Sequence, residues 1–491
     1  MKISATAFPH SDQAEAAWFL PAAVFVVILI IFLANSGNLL FRDPDLLWHI
    51  AVGRRILETR SFPWVDEFSH TFRGQPWVAK EWISQVAFAL MYDTLGLKGL
   101  AVLIGCAIAA TFTLLFQVLA QRMRVVPALI GALFAYSLAA PHFLVRPHML
   151  SFPVVVLWMA GLVRAAERRS APHPLMLVLM VLWANLHGGF TLGLAFIVPF
   201  ALEAVFAAAP AERAGLAKRW AVFLGCAVFA ALVTPYGYRA LWTTYQVFGG
   251  NEALKYIIEW QPLNFARDWY AGGLILLALF AALLSGVRLS FIRCVLVIGM
   301  IYQALIHIRF VALAAIVIPI LVAAPLARQF GYISNAKPDP VRVWMLTLSS
   351  KRLLRLIAIA VAVAGAAASA LLPARSLPSA MTPVAAVNHL GTRAREGKVY
   401  NDYLFGGYLI FRGIPTFVDG RSDQLFGGGF LDELNRTLNG PARDFTALLD
   451  KYEIRFALVR PKTRDAYALD EDEGWRRLYA DDAAILYERI R

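Results

Sequence analysis

At 491 residues, 59% hydrophobic and only 16% charged, with a mean hydropathy of +0.60, the chain is not an ordinary soluble enzyme. Several of its apolar runs approach the ~20 residues that cross a bilayer. The formal net charge of +13 would suggest nucleic acid in a soluble domain, but the Lys and Arg fall largely between apolar segments, where they orient a membrane protein, and no nucleic-acid partner is assigned. Cys106, Cys226 and Cys294 all lie inside apolar segments, as small buried hydrophobes do, so neither a disulfide framework nor a metal site is indicated.

The first 17 residues lack the basic start and small-residue cleavage site of a signal peptide, and the apolar run that follows is too long for one. It reads as a retained first span. Spans are predicted near 18–40, 98–120, 125–141, 149–164, 174–186, 188–208, 220–234, 269–286, 292–308, 310–327 and 353–373, about eleven in all. The loops after the even-numbered spans carry Arg122 and Arg124; Arg164, Arg168 and Arg169; Arg213, Lys218 and Arg219; Arg288 and Arg293; and Arg328 onwards. The positive-inside rule makes these cytoplasmic, with the N terminus inside and the C terminus outside. The predicted architecture is a polytopic α-helical membrane protein in the inner (cytoplasmic) membrane. Residues 1–377 form its transmembrane domain, with a long first outer loop over 41–97, and residues 378–491 a small α/β soluble domain on the periplasmic or extracellular face.

The first outer loop carries clustered charge. In FRDPDLLWHIAVGRRIL, Asp43 and Asp45 stand just past an apolar run, with Asp45 and His49 one turn apart on a predicted interfacial amphipathic helix whose Trp48 and Arg54/Arg55 suit lipid head groups. Trp64, Trp77 and Trp82 fit an interfacial belt. Carboxylates there are costly unless they line a polar cavity or the water interface, which makes them functional candidates. Later segments deliver further polar residues to the same side: His142, Arg146 and His148, then His187, Tyr236, Arg239, Glu259, His307 and Arg309. Arginine forks and imidazoles suit an anionic ligand, so Arg146, His148, His187 and Arg309 are the candidates for holding a phosphate or pyrophosphate, with Gly188 and Gly189 permitting close approach.

In the C-terminal region, strands are predicted at Lys398 to Asn401, Thr416 to Asp419, Arg455 to Arg460 and Ala484 to Glu488. Helices are predicted at Gly429 to Leu438 and Asp444 to Lys451. The loop VDGRSDQLFGGG, with Asp419, Arg421 and Asp423 among glycines, is the one most suited to face a ligand. No Walker, dinucleotide or zinc spacing occurs.

DPDLLWHIAVGRRILE followed by FRGQPW resembles the first-loop pattern of the GT-C superfamily of membrane glycosyltransferases, that of the oligosaccharyltransferase catalytic subunit and protein mannosyltransferases. NDYLFGGYLIFRGIPTFVDGR is similar to the start of the soluble domain there, although Asn401, Asp402 and Tyr403 replace its Trp-Trp-Asp-Tyr-Gly motif and Leu404 and Phe405 separate the tyrosine from Gly406. The resemblance implies an inverting glycosyltransferase that moves a sugar from a polyprenyl phosphate or pyrophosphate donor to a glycan, lipid or protein acceptor at the outer face, among membrane lipids. On that reading Asp45 or Asp43 is the general base, with His49 beside it. Glu81, Glu259, Asp402, Tyr403, Asp419 and Arg421 are candidates for the acceptor or for supporting positions. No cofactor is assigned, although Asp43, Asp45, His49 and Glu81 are donors of the type that Mn²⁺ or Mg²⁺ takes. The competing reading is a non-catalytic transporter, flippase or assembly protein for lipid-linked glycan, which would need polar groups near mid-membrane.

Overall fold

The computed structural model describes residues 10–248, 252–336, 339–349 and 375–490. Among them, six helices are long and apolar enough to cross a membrane: Trp82–Ala120, Val125–His142, Pro147–Glu167, Phe190–Ala207, Pro210–Ala231 and Ile308–Gln329. Four shorter apolar helices, Leu20–Asn35, Met176–Leu186, Trp269–Ser285 and Phe291–Ile306, meet the remaining predicted spans except 353–373, which lies outside the described residues. The chain is an integral membrane protein, predominantly helical, with a small four-stranded sheet at its C-terminal end.

In chain order the helices that position the site are α1 (His10–Asn35), α2 (Leu46–Thr59), α3 (Trp82–Ala120), α4 (Val125–Ala139), α5 (Pro147–Glu167), α6 (Met176–Leu186) and α7 (Phe190–Ala207). They continue with α8 (Pro210–Ala231), α9 (Tyr238–Phe248), α10 (Trp269–Ser285), α11 (Phe291–Ile306), α12 (Val311–Gln329) and α13 (Pro340–Ser349). Helix α3 is the central element, packing on α1, α2, α4 and α5. It begins 16 residues before the predicted span at 98 and turns at Gly96, whose φ of +62° only glycine adopts freely. Helix α3 thus starts within the stretch 41–97 that the sequence assigned to the first loop. The N terminus of α4 is closed from a distance by Asp339, which accepts from the Val125 N–H at 2.7 Å.

Two expectations for this loop are corrected. Helix α2 is amphipathic as predicted, but its N-terminal half is covered by protein: Leu46, Leu47, Trp48, His49 and Ile50 are buried, whereas Arg54, paired with Asp93, and Arg55, paired with Glu67, are partly exposed and Leu57 is exposed. Trp77 and Trp82 are likewise internal, Trp77 buried and Trp82 donating its indole N–H to Asn185 at 2.6 Å, while Trp64 remains exposed under the Arg239 guanidinium. Tryptophan patterning reads as a lipid belt whenever the partner that covers it lies far away in sequence, here Asn185 of α6 for Trp82 and Arg421 of the C-terminal domain for Trp77.

That domain comprises α14 (Val384–Leu390), β1 (Lys398–Asn401), α15 (Gly406–Phe411), α16 (Phe430–Asn439), α17 (Ala442–Lys451), β2 (Ile454–Val459), α18 (Arg464–Glu471), β3 (Trp475–Ala480) and β4 (Ile485–Arg489). The sheet order is β1-β2-β4-β3, with β1 and β2 parallel and the other pairs antiparallel. The segment Thr416 to Asp419 is not a strand: it makes one isolated bridge, Ser69 to Thr416, to the loop between α2 and α3, and its Asp419 side chain is held in a buried ion pair with Arg421. The domain docks on α2 through α15, where Gly407 lies so close that a Cβ there would fall 2.1 Å from the Pro44 carbonyl oxygen.

Candidate active site

Arg146 stands in extended backbone just before Pro147 opens α5, which aims its guanidinium at the start of α2. There it gathers three carboxylates. Nε and Nη2 engage both oxygens of Asp43, the Nη2–Oδ1 distance being 2.9 Å; Nη2 also reaches Asp45 Oδ2 at 2.9 Å, and Nη1 meets Glu259. Asp43 further accepts the Asp45 backbone N–H at 2.9 Å, so its side chain is fully enclosed, whereas Asp45 keeps a face to the cavity. Burial pushes the Asp45 carboxyl well above the ordinary range; Arg146 opposes this, and the charges of Asp43 and Glu259 add to it.

His49 does not turn to Asp45. Its ring lies on Trp48, and its Nδ1 meets the Gln85 amide at 3.3 Å, which leaves Nε2 to carry the proton. His187, in the break between α6 and α7, accepts the Gly189 N–H on Nδ1 at 3.0 Å, so its Nε2–H faces Glu81 Oε1 at 3.4 Å. His148 stacks beside it, ring centroids 5.6 Å apart. Lys80 pairs with Asp423, and Arg309 lies over the Trp260 ring at 4.5 Å. His307 is one shell away, its Nδ1 against the Trp260 carbonyl at 2.7 Å.

The C-terminal loop 419–424 closes the other side. Arg421, wholly buried, binds both oxygens of Asp419 (2.8 and 2.7 Å) and Asp66 Oδ1 (2.5 Å), sandwiched near the Phe68 and Trp77 rings. Gln424 pairs with the Val78 N–H and carbonyl at 3.2 and 3.1 Å. This anchoring sets Gly420 against Asp45 so tightly that a Cβ there would fall 1.7 Å from Asp45 Oδ1. Tyr403 contributes its hydroxyl, 3.2 Å from Ser422 Oγ. The indole N–H of Trp77 and Gln85 Oε1, both in this wall, are buried without a partner, while the Trp48 side chain hydrogen-bonds Asp45.

Two abutting cavities of about 140 and 100 Å³ share Lys80, Glu81, His148, His187, Glu259, Trp260, Arg309 and Asp423. The first continues among apolar side chains of the bundle, including Phe152, Val155, Leu192 and Leu313; the second is the polar compartment of Asp45, Trp48, His49, Trp77, Gln85, Arg146 and Tyr403. Of the residues singled out by sequence, Asp45, His49, Glu81, Arg146, His148, His187, Glu259, Arg309 and Tyr403 thus converge. Asp43 lies behind Arg146, Asp419 and Arg421 anchor the loop without lining either cavity, and Asp402 is turned away to Arg460 at 2.7 Å. Asp423, singled out with its glycine-rich loop, does line both cavities, whereas Lys80, Gln85 and Gln424 were missed; a lone lysine inside the aromatic-rich QPWVAKEW was the only available signal. Among the described residues no group of three or more His, Cys, Asp or Glu has the arrangement to hold a metal ion. Asp43 and Asp45 share Arg146, His49 faces Gln85 and Glu81 faces His187, so they do not form the divalent-ion set considered above.

Burial raises the Glu81 carboxyl to about 7, with Lys80 opposing. It is neutral below that pH and charged above it, so an anion held near Lys80 and Arg309 meets less repulsion at low pH. Binding of a phosphodiester, whose own charge is constant, is expected to weaken as pH rises through about 7. In Glu81→Gln this inflection should vanish; a titration that keeps it would assign the inflection to another group.

No family model and no curated protein matches the chain. Solved structures of ArnT from Cupriavidus metallidurans, one bound to undecaprenyl phosphate and one in the apo state, do. Each is 15% identical, with 96% of this chain and 98% of that chain covered and a TM-score of 0.52. At that identity the likeness is one of fold: this chain shares the overall fold of the ArnT structures.

Proposed function

We propose that this GT-C-fold protein is an inverting glycosyltransferase that takes a sugar from a polyprenyl-phosphate-linked donor and passes it to an acceptor hydroxyl at the outer face of the membrane. One observation carries the reading: a carboxylate with an upward-shifted pKa stands in a polar compartment that opens into a cavity running among apolar side chains of the bundle, with Lys80 and Arg309 lining both. The neighbouring fold solved with undecaprenyl phosphate supports the lipid class. The apolar cavity would take the first isoprene units, Lys80 and Arg309 the phosphate, and the Asp45 compartment the sugar and the attacking hydroxyl.

Asp45 takes the hydroxyl proton as the oxygen attacks the anomeric carbon from the face opposite the phosphate. The carbon–oxygen bond to phosphate breaks, its electron pair passing to the leaving phosphate, whose added charge Lys80 and Arg309 offset. Arg146, its donors largely taken up by Asp43, Asp45 and Glu259, acts here as the residue that positions Asp45, and the phosphate contact passes to Lys80 and Arg309. Residues 378–491 would form an outer-face domain completing the site. The transporter reading lacks support of this kind, because the polar groups gather at one end of the helices instead of midway along them.

The test is incubation of the purified protein with a radiolabelled polyprenyl-phosphate sugar, following release of free polyprenyl phosphate. Lys80→Ala and Arg309→Ala should each weaken donor binding by about 1.5–3 kcal/mol, the range for charge-assisted hydrogen bonds. Unchanged donor affinity in both variants would remove them from the phosphate site.

A further inference from the structure

A cavity of about 570 Å³ beside the soluble domain is not part of the site above. It lies at the start of β1, the opposite end of that strand from Tyr403, among the turn 391–397, the turn after α15 and His70 of the first outer loop; none of its lining residues lines either active-site cavity. Four residues of strand separate the two, about 13 Å.

Its charge is one-sided. Arg395, Lys398 and Arg412 line it; Lys398 is met by Glu453 at 2.8 Å, and the one carboxylate in the lining, Glu396, pairs with Arg455 at 3.2 Å, so the positive charge comes from Arg395 and Arg412. Other arginines of the domain meet carboxylates: Arg393 and Arg476 meet Glu488, Arg460 meets Asp402, and Arg477 meets Asp470. Arg412 is held instead by neutral acceptors, both Nη atoms on Asn388 Oδ1 at 3.1 Å and Nη1 on the Tyr408 hydroxyl at 2.7 Å. A guanidinium fixed this way is pre-organised while its charge stays unneutralised. His70 donates Nε2–H to the Val399 carbonyl at 3.0 Å, and burial keeps its ring below the ordinary range, so Nδ1 is left as an acceptor suited to a hydroxyl.

We propose that this cleft binds an acidic saccharide, a sugar bearing a phosphate or carboxylate oxyanion, with Arg412 and Arg395 on the oxyanion and His70 Nδ1 on a hydroxyl. Resting on the transferase reading, it would be the remote part of the acceptor. The oxyanion could be either kind, so the probes are glucose 6-phosphate, glucuronate and, as the neutral control, glucose.

Binding is measured by calorimetry on the full-length protein in detergent, for the wild type, Asp45→Asn, Arg395→Ala/Arg412→Ala and Arg412→Lys. At least one acidic sugar should bind the wild type and Asp45→Asn alike and glucose at least tenfold more weakly. The double variant should lose tenfold or more, with an unchanged melting temperature, and Arg412→Lys should recover part of the loss. Which acidic sugar binds more tightly identifies the oxyanion. Equal binding of glucose, no binding of either acidic sugar, or an unaffected double variant would overturn the proposal. Because Asp45→Asn binds without transferring, failure of the cleft and failure of the catalytic reading are read separately.

Discussion

Asp45→Asn is expected to leave the protein folded and able to bind a polyprenyl-phosphate donor while lowering sugar transfer by about 10² or more, the scale of general-base catalysis. Asp45 caps the start of α2 without a side-chain capping bond, so an amide there sacrifices no helix contact. Its remaining oxygen can still accept from Arg146, but it cannot take the proton. Asp43→Asn is the informative comparison. Asp43 is enclosed, accepting from Arg146 and from the Asp45 N–H, so its loss acts by loosening Asp45 and should be smaller. Raised pKa gives a second signature: activity should fall on acidification as Asp45 takes up a proton from solution before the substrate arrives. Near-full activity in Asp45→Asn with an inactive Asp43→Asn would move the base to Asp43.

Arg421→Ala should be the most damaging substitution for stability, about 3–5 kcal/mol, because it leaves the buried carboxylates of Asp66 and Asp419 uncompensated in a region from which water is excluded. The bond joins the loop between α2 and α3 to the C-terminal domain, so the damage should appear as undocking of the domain, read as new protease cleavage near residue 420 together with a lowered melting temperature. Loss of activity would follow from the same event, since loop 419–424 places Gly420 against Asp45 and Asp423 against Lys80. Unaltered stability in Arg421→Ala would mean that the ion pair does not hold the domain.

Much of the bundle was legible because hydrocarbon leaves the backbone no choice but helix, so hydropathy found an apolar helix for each predicted span within the described residues. The first-loop acids and the arginine and histidines opposite them were legible for a related reason: ionisable groups beside apolar runs are rare enough to be informative. What stayed hidden depends on distant pairing. Nothing local to VDGRSD says that Arg421 will be consumed by Asp66, some 355 positions away, or that Gly420 is needed for close approach when its φ is unremarkable. The spacing of Asp45 and His49 suggested a contact, but the Asp45 carboxylate leans back to Arg146 while the His49 ring meets Gln85 on α3. Arg146 was expected to face a phosphate; three acids from two segments, Asp43 and Asp45 before α2 and the distant Glu259, engage it first.

The most direct measurement is a cryo-EM map of Asp45→Asn in nanodiscs with a polyprenyl-phosphate sugar bound. The expected map has the phosphate between Lys80 and Arg309, the isoprene chain among Phe152, Val155, Leu192 and Leu313, and the sugar's anomeric carbon facing residue 45. A phosphate bound elsewhere, with residue 45 remote from the sugar, would contradict the assignment of this cavity pair as the transfer site.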